Sequence, residues 1–236
     1  MHADYYQNTL YPLQDRVLNV ILQLPVGFYL TGGTALSRAY LHHRYSDDLD
    51  LFVNGALDFK QQANMVIDGL KVAGLHLDTA IAEEGFARLF IFDRECSLKI
   101  DLVNDVPFRS GKPLNTPVFA RTDNILNILS NKITALSRYT PKDVVDIVFI
   151  CGIKPFNWIN IFDDTSEKDL WVNPINAAEI IEQFPVGKLQ EIVWINEPPT
   201  REWFNNRKNQ IIADILDGND NTLCAQNNDG SQSRKK

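Results

Sequence analysis

At 236 residues, with 44% apolar and 22% charged side chains, the chain can form one large domain or a core with an appendage. No stretch approaches the roughly 18 consecutive apolar residues of a membrane span, and Met1-His2-Ala3-Asp4-Tyr5-Tyr6 lacks the basic and apolar regions of a secretory signal. A net charge of −7 argues against indiscriminate polyanion binding; Cys96, Cys151 and Cys224, widely spaced and without metal spacing, suit a reducing cytoplasm.

Leu13, Val17, Val20, Ile21 and Leu24 recur at helical spacing, predicting a helix over 12–24 that Pro25 and Gly27 stop. A short strand over 28–30 leads into Gly32-Gly33, and Thr34 can cap a helix running to about His43. Residues 48–53 alternate acidic and apolar side chains, a strand with one apolar face, broken by Asn54-Gly55. A helix over 58–73, closed by Gly74, precedes strands at 75–81, 87–93 and 97–103. Pro107, Gly111, Pro113 and Pro117 make 105–121 loop or sheet edge, and helices follow at 123–138 and 141–151. Beyond Pro155 the patterns are helical, as at 173–184 and 200–216, and the polar residues after 217 are too hydrophilic to pack. The expected organisation is a mixed α/β core over 1–152, a helical region over 153–217 and a disordered tail over 218–236.

The chemistry concentrates early. Residues two apart on a strand share a face, so Asp48 and Asp50 project together while Leu49 and Leu51 face the core. Two such carboxylates can converge on one Mg²⁺ and share a second about 4 Å away. An exposed strand edge also carries acidic pairs, and a double glycine also makes tight turns. Their succession is more specific: Gly32 and Gly33 let backbone approach a phosphate, and the free N–H groups and dipole of the following helix favour anions. Asp101 lies in an apolar strand, where a carboxylate is costly unless paired or bound to metal. Beside the Asp48 strand it completes a metal triad and can serve as general base; otherwise it is a strand-end residue facing solvent. Arg88, Arg94, Lys99, Arg109, Lys112 and Arg121 could form a local basic face.

At about 100° per residue, Lys132 falls within about 20° of Ile125 and in line with Leu129 and Leu136, while Asn127, Ser130, Asn131 and Thr134 take the opposite side. Lys132 either snorkels to the edge or points into a cleft to hold a triphosphate and neutralise leaving pyrophosphate. In the next helix Thr140 is the cap, Pro141 the first residue and Asp143 a first-turn acid. Asp146 is surrounded by apolar positions and should pair with Lys132 or Arg138, as structure or as part of a site.

The stretches Gly32–Leu36, His43–Phe52 with Ser46-Asp47-Asp48-Leu49-Asp50, Lys99–Leu102, Asn131–Leu136 and Asp143–Asp146 together resemble the AbiEii/AbiGii nucleotidyltransferase toxins of the DNA polymerase β-like superfamily. The likeness covers about residues 28–150. It implies an α+β fold with a polymerase β-like core, a mixed sheet flanked by helices, and a helical carboxyl-terminal part. It implies transfer of a nucleoside monophosphate from a nucleoside triphosphate with two Mg²⁺ ions, or Mn²⁺ in their place. The acceptor it implies is the 3′ end of transfer RNA, in a phage-defence or toxin setting with a cognate antitoxin. Carried over by position, Gly32 and Gly33 contact phosphate and Asp48 and Asp50 hold metal, while Lys132 engages the triphosphate with Asp143 or Asp146 in support. Asp101 is expected as the third metal carboxylate, and Thr34 and Ser46 are expected in the nucleotide site. Ser46 also matches a serine that some relatives' antitoxins modify, although it could simply cap the turn into the strand. The rival readings are transfer to a small molecule or a protein hydroxyl, and a non-catalytic regulatory or antitoxin module of the same fold.

Overall fold

The computed structural model describes residues 2–93 and 96–224, which form two compact units meeting in sequence between Asn124 and Ile125. By contact, the helices over 125–151 group with the carboxyl-terminal helices. Arg94 of the expected basic face lies outside the described residues. Among the described residues no helix is long and apolar enough to cross a membrane.

The first unit begins with α1 (His2–Tyr5), a π-helical turn over Tyr6–Leu10 and α2 (Tyr11–Leu22). Strand β1 (Tyr29–Thr31) then runs into α3 (Gly32–Ala35), which continues as a π-helical turn to Leu41 and ends at His42 in the left-handed conformation, φ 49°. Strand β2 (Leu49–Asn54), helix α4 (Phe59–Val72) and strands β3 (His76–Ala82), β4 (Phe86–Asp93) and β5 (Cys96–Asp105) follow. The five strands form one mixed sheet in the order β1-β2-β5-β4-β3, parallel only between β2 and β5. This is the expected α+β core.

Register explains the two faces of that sheet. Leu89, Ile100 and Leu49 pair in a row across β4, β5 and β2, with Ala87, Leu102 and Leu51 in the next parallel row; all six are buried. Burying one side chain of this size contributes about 1.5–3 kcal/mol, so this apolar face fixes the pairing, because a one-residue slip would turn it to the other side. The other face carries the row Arg88–Asp101–Asp50–Thr31.

Tyr40 of the first unit donates its hydroxyl to the Asp123 carbonyl at 2.7 Å. Burial, aided by the Asp123 charge, pushes its phenol up to about 12. The neutral phenol is thus favoured in the fold: its contribution is full below the unfolded value near 10 and is lost as pH rises through about 12. Melting temperature should therefore fall between pH 10 and 12, and less steeply in Tyr40→Phe; equal slopes would remove Tyr40 as a cause.

The second unit comprises α5 (Ile125–Thr134) with a 3₁₀ turn to Arg138, α6 (Pro141–Cys151), α7 (Trp158–Ser166), α8 (Pro174–Gln183) and α9 (Arg201–Asp217). Asn127 and Ser130, expected on the outer side of α5, are buried. The Lys168 ammonium fastens that polar side, 2.7 Å from Asn127 Oδ1, 2.6 Å from Ser130 Oγ and 2.6 Å from Asn131 Oδ1. The tail expected from 218 is corrected over its first part. Gly218, φ 65°, ends α9, Leu223 is buried, and Asn221 Nδ2 donates to the carbonyls of Cys151 and Lys154 at 2.7 and 2.8 Å. Polar composition hid this because Asn221 packs by satisfying carbonyls at and just beyond the end of α6. The rest of that expected tail, 225–236, lies outside the described residues.

Candidate functional site

Asp50 stands opposite Asp101 in the parallel β2–β5 pair and opposite Thr31 in the antiparallel β1–β2 pair. Neighbouring strands lie about 4.8 Å apart, so these side chains emerge next to one another, with Asp48 one same-face step along from Asp50. The sequence-predicted carboxylates are thus brought to one sheet face. Asp101 is 8% exposed and does not face solvent.

Gly32 is positioned against this row. Its φ is +68°, and an added Cβ would overlap the Asp50 carboxylate. A Cβ at Gly33 would meet Arg44 Nη2 at 2.7 Å and Ser46 Oγ at 3.0 Å. The double glycine thus lets the start of α3 lie directly on Asp50 and on the buried Arg44. Gly32→Ala is expected to cost about 1–2 kcal/mol in backbone strain alone, with the Asp50 clash added. Urea unfolding measures this, and an unchanged midpoint would contradict the packing.

Thr34 is corrected: it is not the cap, a position held by Thr31, and it is fully buried. Its hydroxyl lies 3.0 Å from Ser46 Oγ and against the Asp48 carbonyl, tying α3 to the start of β2. Ser46 is buried and bridges the same turn, so both residues support the glycine turn from beneath.

The sequence reading missed what neutralises the carboxylates. Arg88 Nε and Nη2 donate to Asp101 Oδ1 and Oδ2 at 2.7 and 2.8 Å, a bidentate pair across β4 and β5. Lys99 Nζ lies 2.7 Å from Asp48 Oδ2 and 3.9 Å from Asp101 Oδ2. The hydrogen bond to Asp101 is the main reason the Arg88 guanidinium is raised above its ordinary value. For Lys99, desolvation pulls downward but is outweighed by the hydrogen bond to Asp48 and the charges of Asp48, Asp101 and Asp50, so its ammonium is raised. Arg88 and Lys99 sit among the carboxylates, while Arg121 donates to the carbonyls of Phe28 and Ile21. A period-two reading of β4 and β5 with the right register would have found both cations.

Among the described residues, no three His, Cys, Asp or Glu side chains are arranged to hold a metal ion, so the expected triad is not a ready-made cage. Its chemistry nevertheless fits a hard divalent cation. The donors are all carboxylate oxygens on one face, and the Lys99 ammonium stands in as a cation between Asp48 and Asp101.

In the second unit, Lys132 Nζ lies 2.7 Å from Asp143 Oδ1 and 2.9 Å from Asp146 Oδ2, with side-chain exposures of 12%, 10% and 0% for the three residues. Lys132 does not snorkel, and Asp146 pairs with it; Arg138 is exposed. Thr140 occupies the cap position of α6, but its hydroxyl binds the Asp143 carboxylate instead of a helix N–H.

A family model described as the nucleotidyl transferase AbiEii toxin of type IV toxin–antitoxin systems matches residues 19–181. The fold is similar to that of JHP933 from Helicobacter pylori, at TM-score 0.58 and 15% identity, covering 97% of each chain. It is also similar to a proposed nucleotidyltransferase from H. pylori, at TM-score 0.59 and 15% identity, covering 90% of this chain and 95% of that one. No curated protein matches the sequence. With 163 consecutive residues matched and a mixed sheet that gathers Asp48, Asp50 and Asp101 beside Gly32, the chain belongs to the AbiEii nucleotidyltransferase toxin family.

Proposed function

We propose that this protein transfers a nucleoside monophosphate from a nucleoside triphosphate to the 3′ end of a transfer RNA, as a toxin acting in phage defence and neutralised by a cognate antitoxin. The observation that carries the reading is the gathering of Asp48, Asp50 and Asp101 on one sheet face, with Gly32 packed on Asp50. Asp48, Asp50 and Asp101 would hold Mg²⁺, one ion or two, with Mn²⁺ able to replace it. Bound there, the metal supplies charge stabilisation at the attacking and leaving oxygens.

The glycine turn admits phosphate close to the backbone, and Thr34 and Ser46 keep that turn on β2. Asp101 accepts the proton of the acceptor hydroxyl. That oxygen bonds to the α-phosphorus as the bond to the bridging oxygen of pyrophosphate breaks, and pyrophosphate leaves. In the second unit Asp143 and Asp146 hold the ammonium of Lys132, the cation that the resemblance assigns to the triphosphate.

The net charge of −7 favours a second reading, transfer to a protein or small-molecule hydroxyl. Incubation with each α-labelled triphosphate and total RNA, purified transfer RNA or protein separates them. Label on transfer RNA is expected; label only on protein would sink the RNA reading.

A further inference from the structure

Lys99 and Arg88 occupy the carboxylates that a metal would need. Lys99 lies two residues before Asp101 on β5 and therefore on the same face; Arg88 lies directly across from Asp101 on β4. Both oxygens of Asp101 receive the Arg88 fork, and the Lys99 ammonium spans Asp48 and Asp101. Three carboxylates on one face repel one another, and these two cations lower the face's formal charge from −3 to −1.

Their stems are anchored in strands, but their side chains are 28% and 34% exposed, at the solvent margin. Both can swing away without disturbing the apolar face. One divalent cation carries the same charge as the pair and seeks the same oxygens. A guanidinium fork and a flexible ammonium, once displaced, are both phosphate ligands.

We propose that Lys99 and Arg88 are exchange cations. They hold Asp48 and Asp101 in the nucleotide-free protein, yield those oxygens to a divalent cation, and bind the phosphates of the nucleoside triphosphate that arrives with it. The inference rests on the metal-dependent reading above and deepens it. Metal alone then binds weakly, because it must displace two built-in cations. Metal with triphosphate binds well, because the displaced cations gain a new anion. The device keeps the carboxylate face closed to metal until substrate is present.

The test uses the full-length protein at fixed ionic strength. Mn²⁺ binding is followed by electron paramagnetic resonance of the free ion. Triphosphate binding is followed with α,β-methylene analogues of ATP, CTP, GTP and UTP in saturating Mn²⁺. Lys99→Met should bind Mn²⁺ about twofold to fivefold more tightly without nucleotide, the range expected for removing one partly exposed competing charge. Its affinity for the analogue that wild type prefers should fall by a similar factor. Arg88→Met should move both quantities in the same directions. Because it also strips the fork from a nearly buried Asp101, Lys99→Met with its Asp48 partner 41% exposed is the primary variant.

Unchanged or weaker Mn²⁺ affinity in Lys99→Met, or unchanged triphosphate affinity, overturns the inference. If wild type binds Mn²⁺ and Asp50→Asn abolishes that binding, such a result leaves the metal-dependent reading standing. If neither wild type nor Lys99→Met takes up Mn²⁺, with or without nucleotide, both readings fall.

Discussion

Asp50→Asn is expected to lower nucleotidyl transfer about 10³-fold while leaving the fold intact. Asparagine keeps the shape that Gly32 packs against and removes only the charge. Charge stabilisation of a transferring phosphoryl group is worth several kcal/mol, and about 4 kcal/mol corresponds to 10³ in rate. Asp50 is also the central member of the row, flanked by Asp101 on one side and Thr31 on the other. Label transfer from α-labelled triphosphates measures the loss, and Asp48→Ala should lose cellular toxicity in parallel. If both variants keep full activity, the carboxylate face is not catalytic and the non-catalytic module of the same fold becomes the better reading.

How much of this could be read from the chain differs from element to element. The strand at 48–53 was legible because its alternation has one face wholly apolar, a pattern that tolerates no slip. Asp101 was legible as an anomaly, an acid inside an apolar strand. Its partner was not, because Arg88 reaches it through strand pairing, and pairing order is a long-range property that local periodicity does not encode. Thr34 was misread for a related reason: a Thr before an apolar run predicts a cap, but the carbonyl of Asp48, fourteen residues on, competes for its hydroxyl. The helical unit shows the same limit. Asn127 and Ser130 look solvent-facing on a helical wheel, but Lys168, some forty residues away, meets both of their buried side chains. Local pattern thus located the chemistry, and tertiary contacts decided which groups neutralise it.

The second large effect is expected at Lys132. Lys132→Met removes a cation that bridges Asp143 and Asp146, the latter with no exposed side-chain surface. Breaking a buried pair by deleting one partner costs about 3–5 kcal/mol, a large share of a domain's stability, so chemical denaturation should show a shift of that size. Lost activity in this variant would then say nothing about the site, since unfolding alone explains it. The double variant Lys132→Met with Asp146→Leu separates the two roles. Replacing both members by apolar groups is often close to neutral, and Asp143 keeps the Thr140 hydroxyl, so much of the stability should return. If transfer activity stays low in this refolded double variant, Lys132 serves the triphosphate itself. If activity returns with stability, the lysine is a structural member of the α5–α6 pair, and the triphosphate must find its cations elsewhere, first among them Lys99 and Arg88.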